Sequence, residues 1–355
     1  MSPATAFWRG FVAPTPFALG LMVVSFVLTA WIASVVPTPE RIAGSWGQYL
    51  PRSEKDNEAF ATREALTLSL PSAPGDTAPQ LTILGSSISA HAFASEPGMA
   101  DAIRAATGKD WHVSILTTPL QGTVDEAALA DHATRRRSGV VVLSIGFMRF
   151  GAPAKEYVDL GRMERLGIRS DWADAQMRML GGEPRRQTGN YAVDNRNFLL
   201  RNADVLLLRW LGGNPARRRI DAYWQPRASH ETQHREMLEY LERSAKPDPV
   251  GVKLLDDIVR RIEARGSSVV LFEEPVNPAL LDDQTHSALY ENHIVRSAKV
   301  AASVGAFYCR PAQPLRPTTA DYGDFDHIAV PAAQARQRQA LAACVAALPG
   351  KGGKS

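Results

Sequence analysis

Only two cysteines, Cys309 and Cys344, occur in 355 residues, and no zinc-type Cys/His spacing is present, so zinc modules and disulfide-dense scaffolds are excluded. No Gly-rich phosphate loop or dinucleotide fingerprint appears, so no nucleotide cofactor is called for. An excess of one charge is also lacking. Lys and Arg number 40 against 37 Asp and Glu, and the formal +3 is too small to imply nucleic-acid binding. With 45% hydrophobic and 22% charged residues, wholesale disorder is excluded. The even cysteine pair has two readings, a disulfide in an oxidising compartment or two buried thiols elsewhere.

One long uncharged run is present. Residues 17–36 are apolar except for Gly20, Ser25, Thr29 and Ser34. As a helix they would cross the roughly 30 Å hydrocarbon core of a bilayer. Trp8 and Trp31 fall near its ends, where aromatic rings favour the interface, and Pro37 and Pro39 stop the helix. The run is longer than a usual signal-peptide core and no clear A-x-A site follows it, so an uncleaved anchor is expected. Arg9 before the span and Arg41, Arg52 and Lys55 beyond it do not decide orientation. A large domain behind a single N-terminal span usually means export. The expected location is therefore the inner (cytoplasmic) membrane, with the domain in the periplasm or extracytoplasmic space.

Residues 1–16 are then a cytoplasmic N-terminus, 17–36 the span and 37–80 a connector with Pro71, Pro74, Gly75 and Pro79 at its end. From 81 onward the pattern alternates. Apolar runs at 81–85, 111–116, 140–145, 269–272 and 306–309 read as strands. Helices are predicted over 123–136, around 254–262, and over 286–304 and 331–347. Thr123 with Glu126 three residues on has the spacing of a capping box. Strands alternating with helices predict an α/β fold with a parallel sheet covered on both faces. The alternation stops in a 150–249 insertion, read as largely helical, with an amphipathic helix over 197–211. It holds Trp172, Trp210 and Trp224 together with Arg185, Arg186, Arg217, Arg218 and Arg219. These arginines read first as a solvated face; a surface meeting anionic glycan or phospholipid is the sharper reading. Residues 348–355 are a tail.

Two stretches carry chemistry. The run Leu81-Thr82-Ile83-Leu84 breaks at Gly85 and delivers Ser86 and Ser87 into a turn, with Ser89 further on, before a helical pattern. A plain Gly-Ser turn would read the same way. Near the C-terminus, Asp324 stands three residues before His327, in a loop that follows a strand and precedes a helix. Serine needs a base, and the base needs an orienting group. Asp324 and His327 have the spacing for that pair, while Asp321 and Asp326 read as caps or solvated turn residues.

This order of motifs resembles the SGNH (GDSL-like) hydrolase superfamily, over roughly residues 81–347. The resemblance implies a flavodoxin-like three-layer parallel sheet, with Ser87 as nucleophile, His327 as base and Asp324 as orienting acid. Ser86 stands where the family has Asp. Gly-Ser-Ser, the single N-terminal span and Glu274-Pro275-Val276-Asn277-Pro278 are similar to the membrane-anchored branch that works with membrane-bound O-acyltransferases. Its members serve teichoic-acid D-alanylation and O-acetylation of alginate or cellulose. Gly122 matches the glycine whose N–H meets the oxyanion, beside the N–H of Ser87. The family's asparagine donor has no match in Gly146-Phe147-Met148-Arg149. Losing one donor removes roughly 3 kcal/mol of transition-state stabilisation unless another group replaces it. Arg149 and Asn277 are the candidates.

The function implied is an anchored O-acyltransferase or esterase that modifies a cell-envelope or secreted polysaccharide through an acyl-serine. Its partners would be a membrane-bound O-acyltransferase and the polysaccharide acceptor, and no metal or cofactor is required. The alternative is a catalytically degraded accessory protein that binds glycan or docks on such an acyltransferase. A plain lipase would want an apolar acyl groove, which the Arg-rich insertion argues against.

Overall fold

Each apolar run is separated from the next by enough chain for a helical crossover, which parallel pairing requires. The computed structural model describes residues 16–35, 38–44, 58–71, 75–151, 154–162, 164–184, 186–201, 230–245, 249–281, 283–324 and 326–348. The chain begins with α1 (Pro16–Val35), α2 (Pro39–Ala43) and α3 (Glu58–Leu68). Then come β1 (Gln80–Gly85), α4 (Ser87–Phe93), α5 (Glu96–Thr107), β2 (His112–Thr117), α6 (Thr123–Ala133) and β3 (Gly139–Ile145). Helices α7 (Phe147–Gly151), α8 (Ala154–Arg162), α9 (Asp171–Met179), α10 (Tyr191–Asp194), α11 (Arg196–Arg201) and α12 (His230–Ser244) follow. The chain closes with α13 (Pro249–Ala264), β4 (Ser268–Glu273), α14 (Gln284–Val304), β5 (Phe307–Cys309) and α15 (Pro331–Ala346).

The fold is α/β, and its five strands form one all-parallel sheet in the order β2-β1-β3-β4-β5. Ile83 pairs with Ile115 on one side and Val142 on the other. Strand side chains alternate between faces, and here both faces are buried, so the strands read as unbroken apolar runs. Leu84, Val141, Leu143, Val269 and Leu271 pack with residues of α3, α6, α13 and α14. Leu81, Ile83, Val140, Val142, Val270 and Phe272 pack with α4, α5 and α15 through Phe93, Met99, Ile103, Leu341 and Val345. Fully burying one such Leu, Ile or Val side chain contributes about 1.5–3 kcal/mol. The strand order reverses at β1, and the connections on its two sides leave to opposite faces. Open α/β sheets place their crevice at such a point, beyond the carboxyl ends of the strands.

Three expectations change. Within the presumed connector, α3 is part of the core: Ala59, Ala61, Ala65 and Leu66 are buried against the sheet layer. Its alanines pack closely without an obvious apolar stripe, which is why the sequence hid it. At α6 the cap is Gly122, without a side-chain bond, rather than Thr123, and Glu126 is buried instead of reaching back. The insertion is helical where described, but its first part belongs to the core. Leu166, Ile168, Trp172 and Phe198 join the α6 layer, and Arg265 lies over the Trp172 ring at 4.2 Å. Of the predicted 197–211 helix, residues up to Arg201 are seen in α11. Arg186 is exposed, whereas Arg185, Trp210, Arg217, Arg218, Arg219 and Trp224 lie outside the described residues.

Helix α1 has 20 residues, which makes it about 30 Å long. Leu21, Met22, Val23, Val24, Phe26, Val27 and Leu28 are all exposed on it, so the helix is apolar all round. No helix among the described residues is long and apolar enough to cross a membrane.

Cys309 on β5 and Cys344 on α15 form a disulfide, which settles the two readings of the pair. The bond spans a sequence separation of 35 residues, and closing such a loop contributes about 4 kcal/mol in the chain-entropy picture. Alkylation of the denatured, unreduced chain from its native compartment should add no mass, and alkylation after reduction should add two adducts. Two adducts without reduction would contradict the bond.

Candidate active site

Strand β1 ends at Gly85, where an added Cβ would overlap Ser89 Oγ and Ser144 Oγ, so only glycine lets the strand pass this close to the start of α4. Three serines follow, and their surroundings differ. Ser86 is the N-cap of α4: its Oγ accepts from Ile88 N at 3.2 Å and donates to Glu274 Oε1 at 3.4 Å. Ser89 is buried, donates to Glu274 Oε1 at 3.0 Å and shares a 2.6 Å hydrogen bond with Ser144 Oγ. Ser87 is half-buried, and its Oγ has no hydrogen bond among the described residues. Of the three, Ser87 alone has an untethered hydroxyl.

Glu274 is the floor of this turn. It follows β4 and comes so close to Gly146 that a Cβ there would overlap its Oε2. Burial raises its pKa to about 7, against the lowering effect of the Ser89 bond and the Arg149 charge. Its charge therefore changes near neutrality, directly beneath Ser86 and Ser89.

The loop before α15 brings the second half. Asp321 is a cap, as expected: its Oδ2 accepts from Thr318 N and Arg336 Nη2, each at 2.7 Å. An antiparallel bridge between Tyr322 and Ile328 closes the loop around 324–327. Asp324 Oδ1 accepts from His327 N at 2.7 Å, and its Oδ2 lies 2.8 Å from His327 Nδ1. The Asp-x-x-His spacing therefore does make the orienting contact. His327 Nε2 is buried and has no hydrogen-bond partner among the described residues.

The loop sits on α4. Ile328 and Ala333 pack with Ala92, and the His327 ring lies 4.7 Å, centroid to centroid, from the ring of His91. His91 is one helical turn after Ser87, on the same face of α4. Ser87 and His91 thus share one helix face, the His327 ring packs on His91, and among the described residues no hydrogen bond joins Ser87 Oγ to His327 Nε2.

Asp326 corrects the sequence reading. Its Oδ1 lies 2.7 Å from the same His327 Nδ1, so it is no spare turn residue. Burial opposes charge on His327, but Asp324 and Asp326 outweigh it and bring the pKa up to about 10. Burial would raise Asp324, yet its bonds with His327 and Asp326 hold it well below the carboxylate range. Asp326 is raised, by burial first and by Asp324 beside it. The resting dyad is an imidazolium–carboxylate pair. Ligand atoms of Asp324, Asp326 and His327 lie within 4.8 Å of one another, a set able to approach a cation, but Nδ1 is already engaged by two carboxylates.

Both candidate replacement donors make hydrogen bonds of their own. Arg149 donates from both terminal nitrogens to Glu126, at 2.8 and 2.6 Å, in a buried bidentate pair. Asn277 Nδ2 donates to Asp324 O at 3.1 Å, and its Oδ1 accepts from Ala279 N. Asn277 therefore positions the Asp324 loop. The N–H groups of Ser87 and Gly122 donate to no acceptor among the described residues, and Thr118 N donates to Gly85 O at 3.2 Å, tying the Gly122 loop to the nucleophile turn.

An apolar slot lined by Ile88, Phe147, Met237, Val276 and Leu280 opens beside Asp326 and Glu274. A larger cleft, about 140 Å³, lies between α6 and the insertion and is lined by none of the candidate catalytic residues. Its charged side chains are engaged with one another, as Arg165 is with Asp125. No protein-family model matches this chain, and no curated protein matches it either.

Proposed function

We propose that this chain is a membrane-anchored, extracytoplasmic serine acyltransferase or esterase with a flavodoxin-like, SGNH (GDSL-like) domain. The observation that carries the reading is the untethered Ser87 at the carboxyl end of β1, one helical turn before the His91 ring on which the His327 ring packs, with His327 Nδ1 held by Asp324 and its Nε2 without a hydrogen bond among the described residues. Ser87 Oγ attacks the acyl carbonyl carbon and its proton passes to His327 Nε2. The tetrahedral oxyanion is met by the N–H groups of Ser87 and Gly122. As the intermediate collapses, His327 returns the proton to the leaving oxygen. The acyl-serine is then attacked by a sugar hydroxyl, or by water, with His327 taking the proton again. By resemblance, the acceptor is an envelope or secreted polysaccharide and the acyl group arrives through a membrane-bound O-acyltransferase.

The test is covalent. Full-length protein treated with a fluorophosphonate should carry a single adduct, on the peptide containing Ser87. Failure to label at neutral and alkaline pH would favour an accessory protein that binds glycan or docks an acyltransferase. The absence of the family's asparagine from Gly146-Phe147-Met148-Arg149 favours that second reading.

Two features support anchoring and export. A helix apolar all round is suited to lipid rather than to water, as α1 is. Disulfides such as Cys309–Cys344 persist in oxidising compartments. Alkaline phosphatase fused after residue 355 should therefore be active in cells. An inactive phosphatase together with an active cytoplasmic reporter at the same junction would overturn the placement.

A further inference from the structure

Between β2 and α6 the backbone takes an uncommon course. Leu120 has φ 51°, a left-handed conformation that a bulky side chain seldom adopts, and the side chain is exposed. Such a residue keeps its conformation only where its surroundings impose it. The surroundings here centre on one side chain from the insertion, Arg165, which is 4% exposed. Its Nη1 donates to Pro119 O, and its Nη2 donates to Leu120 O at 2.9 Å and to a carboxylate oxygen of Asp125. Glu58, on α3, lies 3.9 Å from Nη1 and adds a second negative charge.

The acceptors bracket Gly122. Two carbonyls lie just before it in the chain, and the Asp125 carboxylate lies in the first turn of α6 just after it. Other supports of the loop lie on its β2 side: Gln121 Nε2 donates to Leu116 O at 2.9 Å, Gln121 N donates to Thr118 O, and Thr118 N donates to Gly85 O. Among the described residues, Arg165 is the side chain that bonds the segment on both sides of Gly122. A planar guanidinium can hold three acceptors at fixed angles, whereas an ammonium cannot reproduce that fork.

We propose that Arg165 is a positioning residue for the reaction, a clip that fixes the Gly122 N–H where the oxyanion forms. The assignment rests on the acyl-serine reading. It gives the insertion a role in the chemistry: the segment that interrupts the sheet pattern holds half of the oxyanion site.

The first measurement is amide hydrogen exchange on the full-length protein. Arg165→Lys should speed exchange at least tenfold at Gln121, whose N–H is bonded to Thr118 O, while the β1 and β3 amides keep their protection. Kinetics on a small soluble ester give the second. A displacement of about 1 Å can cost about 10²-fold, so kcat should fall about 10- to 100-fold with KM nearly unchanged. Affinity for a trifluoromethyl ketone, whose hydrate oxygen occupies the oxyanion position, should fall by the same factor. Leu120→Gly in the Arg165→Lys background removes the left-handed penalty and should restore several-fold of kcat, which a general loss of stability would not allow. Asp125→Asn loosens the clip from its other end and should give a smaller loss of the same kind, covering the case in which Arg165→Lys folds poorly. Unchanged exchange at Gln121 in folded Arg165→Lys, or a loss confined to KM, overturns the clip. Absence of Ser87 labelling in the wild type would overturn the acyl-serine reading instead, and the exchange result would still decide whether Arg165 orders the loop.

Discussion

Ser87→Ala should abolish fluorophosphonate labelling and lower ester turnover by at least about 10³-fold, because removing the nucleophile leaves only the oxyanion donors and binding. The comparison with its neighbours makes the result specific. Ser86→Ala removes an N-cap and should destabilise α4 by about 1 kcal/mol while most labelling survives. Ser89→Ala removes a buried bond to Glu274 and should cost stability rather than chemistry. His327→Ala should fall to nearly the floor of Ser87→Ala, and the double variant should fall no further, since members of one catalytic unit are not additive. Asp324→Asn should lose less than either, because Asp326 also contacts Nδ1 and can keep the ring oriented. Labelling that persists in Ser87→Ala would refute the nucleophile. Unimpaired polymer acylation in that variant would mean that any catalysis lies in a partner.

The serine and the histidine were legible because each stands where a strand hands over to a helix, and those junctions show in the apolar pattern. The β3 run 140–145 and the break at Gly85 needed no long-range information. The division of labour among charged groups was not legible. Arg149 looked available until its partner was seen on α6, 23 residues away in sequence. Asp324 and Asp326 both flank His327 in a short loop, and spacing favours the first, yet a closed turn brings both carboxylates to Nδ1. Arg165 carried no motif at all, since the carbonyls it holds belong to residues 119 and 120 and any sequence would supply them. The cysteine pair was legible as a possibility, and the placement of Cys309 on β5 beneath α15 decided it.

Raising the pH from 7 toward 10 should speed acyl transfer by up to about 10³-fold, an acid limb far above the range of an ordinary histidine catalyst. His327 can accept the Ser87 proton only when neutral. With its pKa at about 10, roughly one molecule in 10³ holds it neutral at pH 7. The sign is that of a base: kcat/KM rises as pH rises through the folded pKa, then levels off. The stability contribution runs the other way. A histidine whose folded pKa is raised contributes stability that is complete below its unfolded value of 6.5 and is lost as pH climbs through about 10. Activity and thermal midpoint should therefore move in opposite directions over the same window. Asp326→Asn separates the two carboxylates. Removing one anion at this distance typically lowers a neighbouring pKa by about 1–3 units, so the limb should move toward neutrality and the rate at pH 7 should rise about tenfold or more. Asp324 remains to orient the ring, so kcat on the alkaline plateau should change little. An acid limb near 6.5 in the wild type, or one that Asp326→Asn leaves in place, would show that the second carboxylate does not govern the base.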